Sequence, residues 1–286
     1  MRSVDARRWA SSAVVAVLLT TGVKRPGAEE AGTVAPQTIS AQNLVQTMVG
    51  KEDAEFEGKG HFSYLSKERS DRTGGHLWTE RVAETDDGKV RMLIAEDNRT
   101  LTGDRAEGEK RRLAEIAAHP DAFEKREQAR KNDEVHAKEM LDLLPKAFLL
   151  ENLRPEGQFV RIDFRPRPDY TPQSMEERVL HSMTGSLLVD PKMARLRSID
   201  GKLPQDVAIG FGLIATIQAG SSFETTREQV PGGEWKTHTL NTDITGRAIF
   251  FKSIGKKEHA EHDAFQQLPA GMTVAQAVDL LQHEGS

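Results

Sequence analysis

The stretch of residues 185–254 limits the fold most, because it offers strand patterns and turns but no room for a helix of ordinary length. Its first two strands flank a turn at residues 190–192, and the second strand alternates apolar and polar side chains over residues 193–198. The remaining elements follow in order, with strands at 211–217, 223–230, 235–243 and 247–254 and turns at Asp200-Gly201 and Thr245-Gly246. Short connections favour consecutive antiparallel pairing, so this stretch predicts a sheet that other parts of the chain must cover.

The segments on either side of this sheet add further strands and several helices. A short helix is predicted from a cap at Ser40 to Gly50, and a last helix begins at the capping box formed by Thr273 and Gln276. Residues 104–152 predict two or three helices separated by breaks at Pro120 and Pro145. The additional strands are predicted at 62–66, 77–85, 89–96 and 159–165.

Composition narrows both the class of protein and its partners. A chain of 286 residues with 37% hydrophobic content can bury one sizeable core, which predicts a single domain over residues 35–285 with a helical insertion at about 104–152. The net charge of -5 and the pI near 6.0 argue against binding to nucleic acid. The chain has no cysteine, which excludes disulfides, thiol nucleophiles and lipidation at a cysteine.

The first 30 residues predict a signal peptide and a disordered leader. Arg2, Arg7 and Arg8 precede an apolar run at residues 13–19, which is shorter than the roughly 20 residues that a membrane span requires. We therefore expect a periplasmic or secreted protein that has no stable membrane span once the signal has been cleaved.

Three short segments of the sheet carry a family resemblance. Residues 187–191, 195–199 and 200–203 resemble the central hairpin of the periplasmic lipoprotein-sorting family, the LolA and LolB type. The resemblance implies an α+β fold in which a curved antiparallel sheet forms an open half-barrel and helices cover its concave face. It also implies an apolar cleft that holds a lipid, an acyl chain or an acylated lipoprotein.

Apolar positions on the strands and on the predicted lid helices are the candidate lining of such a cleft. They are Val160, Ile162, Phe164, Leu188, Leu196, Leu213, Phe250, Leu144 and Phe148. The same alternation also suits a plain packed core. The chain lacks a Gly-x-Ser-x-Gly nucleophile motif. We therefore expect a non-catalytic binding protein without a cofactor.

Two alternative functions remain open at this stage. The stretch of residues 258–263 contains His259, His262 and three carboxylates, which with a distant third ligand would suit an exported metal-dependent hydrolase, although a polar surface turn explains the same residues. The charged helical block would alternatively let an envelope sensor or scaffold bind a protein partner. A glycine pattern at residues 210–215 has the letters of a nucleotide-binding motif but lacks the strand–turn–helix context that the motif requires.

Overall fold

The computed structural model describes residues 40–58, 60–209, 215–248 and 253–283, and the predicted signal peptide lies outside them. The helices are α1 (Ala41–Gly58), α2 (Gly103–Ala118), α3 (Pro120–Ala147), α4 (Met175–His181) and α5 (Val274–His283). The strands are β1 (Phe62–Ser70), β2 (Trp78–Thr85), β3 (Gly88–Glu96), β4 (Arg99–Thr100), β5 (Phe148–Glu156), β6 (Phe159–Pro166), β7 (Thr184–Asp190), β8 (Arg195–Lys202), β9 (Val207–Ile209), β10 (Ala215–Ile217), β11 (Ser222–Gln229), β12 (Trp235–Ala248) and β13 (Ser253–Gln267). None of the helices in the described ranges combines the length and the apolar character that crossing a membrane requires.

The strands form one open antiparallel sheet, which confirms the α+β class. Its order is β4-β3-β2-β1-β13-β12-β11-β8-β7-β6-β5, and β10 pairs with β12 and β9. Most neighbours in the sheet are consecutive in sequence, as short connections predict. The exceptions along this order are the pairing of β1 with β13, which joins β1–β4 to the last strands, and the pairing of β8 with β11.

One of the two turns predicted around β8 is confirmed, and the other, at Asp200-Gly201, is wrong. The hairpin of β7 and β8 is confirmed, and Asp190 Oδ1 accepts hydrogen bonds from two backbone amides of its turn. Gly201, however, lies in the ladder opposite Gly185 and Phe223 rather than in a turn. A Cβ on Gly201 would lie 2.5 Å from the ring of Phe223, so the glycine is required by close packing and not by turn geometry.

The last two long strands also differ from the prediction. Thr245 and Gly246 pair with residues of β13 instead of forming a turn, so β12 continues to Ala248. The stretch 258–263, which was expected to be a surface turn, lies within β13. This stretch is a strand because β1 pairs with it on one side and β12 pairs with residues 258–261 on the other.

Several helix boundaries differ for physical reasons. α1 runs past Gly50 to Gly58, because a single exposed glycine inside a helix costs only about 1 kcal/mol relative to alanine. α3 starts at Pro120 as predicted but retains Pro145, and Phe148 begins β5 instead of extending a helix. The sequence analysis missed α4, although its capping box was visible: Ser174 Oγ accepts a hydrogen bond of 3.0 Å from Glu177 N.

The strand register defines two faces of the sheet. Direct partners lie on the same face, so one row of partners, which we call the core face, is Ile162, Leu187, Ile199, Thr225, Leu240, Ala260 and Glu68. The neighbouring row defines the opposite face and contains Asp163, Ser186, Asp200, Glu224, Asn241, His259 and Arg69. Helices α1 and α3 pack on the core face at β5–β8, whereas α5 and α2 pack against Ala83 and Val90 on the opposite face.

Candidate ligand cleft between the helices and the sheet

An apolar core lies between the core face of β5–β8 and the helices α1 and α3. Helix α1 contributes Leu44, Val45, Met48 and Val49, which share one helical face and are 0–7% exposed. The sheet contributes alternate residues of its strands, because side chains two apart along a strand point the same way. The side chains of α1 therefore occupy the space directly above the apolar floor of the sheet.

Most of the predicted lining residues lie in this core. Five of them are 0–4% exposed and belong to it, namely Ile162, Phe164, Leu196, Leu144 and Phe148, and Val160 is partly buried against it. Leu188 lies on the opposite face, where it pairs with Arg161 and Ser198. Leu213 and Phe250 fall outside the described residues.

The low exposure of these side chains shows how the space is filled. A side chain that lines a water-sized cavity keeps some accessible surface, whereas Ile162 and Phe148 keep none. Phe148 and Phe164 pack edge to face with ring centroids 5.2 Å apart. In this structure the core face of β5–β8 is consequently covered by protein side chains.

A buried ionic group joins α1 to the sheet. Glu52 Oε1 accepts hydrogen bonds from Arg195 Nε at 2.9 Å and from the backbone amide of Leu196 at 3.1 Å. Glu52 Oε2 accepts from Arg195 Nη2 at 3.2 Å and also from Arg227. We call Glu52, Arg195 and Arg227 the Glu52 clamp.

The clamp is almost fully shielded from solvent. The exposed fractions of its side chains are 7% for Glu52, 11% for Arg195 and 17% for Arg227. Burial alone raises the pKa of Glu52, but the charges and hydrogen bonds of the two arginines outweigh it, so its pKa lies below the ordinary value. Glu52 is therefore ionised at neutral pH and holds one helix against two separate strands.

A second buried group of charges covers the core face at β1–β3. Arg72 donates to both oxygens of Glu68, at 3.0 and 2.5 Å, and to both oxygens of Glu80, at 3.1 and 2.6 Å. Burial raises the pKa of Glu68, but hydrogen bonds from Arg72 and from Ser70 more than offset this rise and bring the pKa to about 2. The core face is thus apolar at β5–β8, whereas at β1–β3 it also holds a buried ionic group.

An open groove lies where β1, β8 and β11 end and the longer β12 and β13 continue. Its volume is about 670 Å³, within the size range of small-molecule sites. Charged and polar side chains dominate its lining, among them Arg69, Lys202, Glu224, Lys257 and His259. This groove therefore differs in chemistry from the apolar space that the sequence pattern suggested.

The two histidines that the sequence analysis selected do not meet. His259 is an exposed partner of Asn241 on the opposite face, whereas His262 pairs with Ser66 on the core face. Burial, followed by the nearby charges of Arg91 and Lys89, lowers the pKa of His262 to about 4. His259 and His262 therefore cannot ligate one ion in this conformation.

The sequence analysis missed all three residues of the Glu52 clamp. Arg195 lies 143 positions after Glu52 and Arg227 lies 175 positions after it, so no local spacing links them. One signal was available, since Glu52 falls on the same side of α1 as Leu44, Val45, Met48 and Val49. A carboxylate on an otherwise apolar helix face predicts a buried cationic partner.

No protein-family model, curated protein or solved structure matches this chain.

Proposed function

We propose that this chain is an exported, non-catalytic binding protein that holds an acyl chain, or another long apolar group, on the core face of β5–β8. In this proposal the core face is the concave side of a curved half-barrel, and the structure represents a closed form in which α1 occupies the ligand's place. The ligand would be a lipid or an acylated lipoprotein, as the resemblance in the sequence implies.

The single observation that supports the proposal is the way α1 is attached. The sheet does not need α1 for its strand pairing. The helix lies at the start of the described part of the chain, and its contacts with the sheet come from an apolar face and the Glu52 clamp. Replacing a buried ion group with apolar residues is often neutral or stabilising, so such a group is not needed for stability alone. It does favour one defined position for the helix and gives a contact that can open as a unit.

The energetics allow a ligand to replace the helix. Four fully buried side chains of the size of those on α1 are worth roughly 6–12 kcal/mol of transfer free energy, at about 1.5–3 kcal/mol each. An acyl chain that buries ten methylenes gains about 8 kcal/mol on the same scale. The two terms are similar before ordering costs, so exchange of helix for ligand is close to balanced.

Native mass spectrometry of the chain, expressed with its own N-terminal segment and recovered from the periplasm, tests the proposal. We expect a co-purifying mass that solvent extraction and lipid analysis identify as a lipid or an acylated peptide. A chain that is recovered from the periplasm without ligand, and that also fails to bind added hexadecanoate, would contradict the proposal.

Two matched variants locate the ligand. Val160 and Leu188 are both partly buried and lie on adjacent strands, but Val160 is on the core face and Leu188 on the opposite face. Val160→Glu should abolish co-purification of the ligand, because a carboxylate on the apolar floor is costly to bury. Leu188→Glu should leave the ligand bound, and equal loss in both variants would place the ligand elsewhere. Thermal unfolding of both variants checks that each one folds.

A further inference from the structure

Two irregularities in neighbouring strands bring three potential metal ligands together. The register of β11 and β12 changes from Thr226 opposite Thr239 to Arg227 opposite Thr237, so His238 is an extra residue in β12. In β13, Ala264 has a φ of 56°, and the register with β1 shifts next to Asp263. Such bulges turn side chains away from the regular alternation of a strand. Here they place one ligand atom each of His238, Glu261 and Asp263 within 4.8 Å of one another.

The imidazole of His238 is held in the way that metal-binding histidines usually are. Its Nδ1 lies 2.9 Å from the carbonyl oxygen of His262, and a carbonyl can only accept a hydrogen bond. Nδ1 therefore donates this hydrogen bond, which leaves Nε2 as the ring nitrogen that can bind a metal. A backbone carbonyl that fixes the tautomer and the ring orientation is the common outer partner of a ligating histidine.

In the part of the chain that the structure describes, the only basic side chain in an ion-pair contact with either carboxylate is the imidazole of His238, next to Asp263. Among the described residues, no lysine or arginine forms an ion pair with Glu261 or Asp263 within 4.0 Å. Nδ1 of His238 lies 3.4 Å from Oδ1 of Asp263. The same nitrogen lies 3.7 Å from Oε1 of a further carboxylate, Glu228. The ligand atoms of Glu261 and Asp263 lie within 4.8 Å of each other, so the two carboxylates repel when both are ionised, and a bound cation removes that cost.

We propose that His238, Glu261 and Asp263 bind a divalent transition-metal ion, with Zn²⁺ as the preferred ion. One ligand atom of each side chain lies within 4.8 Å of the others, so side-chain rotations can bring the ligands to the roughly 2.0–2.2 Å that zinc requires. An imidazole ligand favours Zn²⁺ over Mg²⁺, and three protein ligands leave a fourth position for water.

The site is separate from the proposed ligand cleft. Glu261 pairs with Thr239 and Lys67 on the opposite face of the sheet, whereas the cleft lies on the core face. Two of the three ligands lie in the stretch 258–263 that the sequence analysis selected, and the third comes from the neighbouring strand. Metal binding can thus be present or absent whatever the outcome for the lipid ligand.

Isothermal titration of the untagged full chain with ZnCl₂, after dialysis against a chelator, tests the site. We expect one Zn²⁺ per chain and no measurable binding of Mg²⁺ at the same concentration. His238→Ala should weaken Zn²⁺ binding at least tenfold, and Asp263→Asn, which keeps the shape of the side chain, should do the same. His259→Ala is the matched control, since His259 is a nearby strand histidine outside the site, and its binding should not change.

Two results would overturn the assignment. One is the absence of stoichiometric Zn²⁺ in the wild-type chain. The other is a pattern of Zn²⁺ affinities that does not single out the proposed ligands. This would be seen if both His238→Ala and Asp263→Asn bound Zn²⁺ as tightly as the wild type, or if His259→Ala lost as much Zn²⁺ affinity as those two variants. Circular dichroism of each variant shows that it remains folded, and the absorption spectrum of the Co²⁺-loaded chain should change in His238→Ala.

Discussion

Glu68 should make the stability of this protein depend on pH in the acid range. Its side chain is 9% exposed and accepts two hydrogen bonds from Arg72 and one from Ser70. Its pKa falls from the ordinary 4.5 to about 2 in the folded chain, and this difference corresponds to about 3 kcal/mol of stability. Because the folded pKa is the lower one, this contribution is complete above pH 4.5 and is lost as the pH falls towards 2.

The measurement is urea unfolding of the wild-type chain and of Glu68→Gln at pH 7 and at pH 3. At pH 3 the wild type should have lost about 2 kcal/mol of the contribution of Glu68, and the variant has none to lose. The drop in unfolding free energy between the two pH values should therefore be about 2 kcal/mol larger in the wild type. Equal drops in the two chains would refute the assignment of an ionised, hydrogen-bonded Glu68.

Two further substitutions test packing and charge burial, each against a control measured in the same urea unfolding assay. Gly201→Ala should destabilise the fold by about 1–3 kcal/mol, because the added Cβ meets the ring of Phe223. Its control is Gly50→Ala in helix α1, where the added Cβ has no neighbour within 4 Å, and this change should stabilise the fold by about 0.5–1 kcal/mol. The opposite order would contradict the packing at Gly201. Glu52→Ala should cost about 3–5 kcal/mol because it removes the carboxylate that two buried arginines share, whereas Glu151→Ala, in an ion pair that is 42% and 50% exposed, should cost at most about 1 kcal/mol. Equal costs would show that the Glu52 clamp is not buried in solution.

Period-two alternation and short turns were enough to predict much of the sheet. The hairpin around Asp190 and the strand that contains Ile162 and Phe164 lie where the pattern places them. Those strands alternate strictly because one of their faces is buried. The α+β class followed from the same patterns together with the helical block.

Long-range contacts explain where the prediction failed. Gly201 and Gly246 are typical turn residues in sequence, yet both lie in strands because neighbouring strands approach them closely or pair with them. Phe148 begins a strand because β6 offers it a ladder partner at Pro166. The sequence pattern also could not assign the filling of the core to α1, because that depends on contacts between segments more than 100 residues apart.

The central claim is that α1 is a removable cover, and a single cysteine in α1 measures this directly. Val45, on the buried face of α1, is 0% exposed, and the chain has no cysteine of its own, so Val45→Cys carries one buried thiol. Its reaction rate with a maleimide reports how often the helix opens. Val82→Cys, also 0% exposed but in a cluster that α1 does not join, is the control.

Hexadecanoate should raise the reaction rate of Val45→Cys while that of Val82→Cys stays low. Without ligand, adding Glu52→Gln should raise the rate at Val45→Cys about tenfold or more, because the Glu52 clamp loses the negative charge that holds its two arginines. Adding Asp53→Asn instead, which removes a contact with Lys138 on α3, should change the rate far less. A thiol at position 45 that reacts no faster with hexadecanoate or with Glu52→Gln would show that α1 is a fixed part of the core.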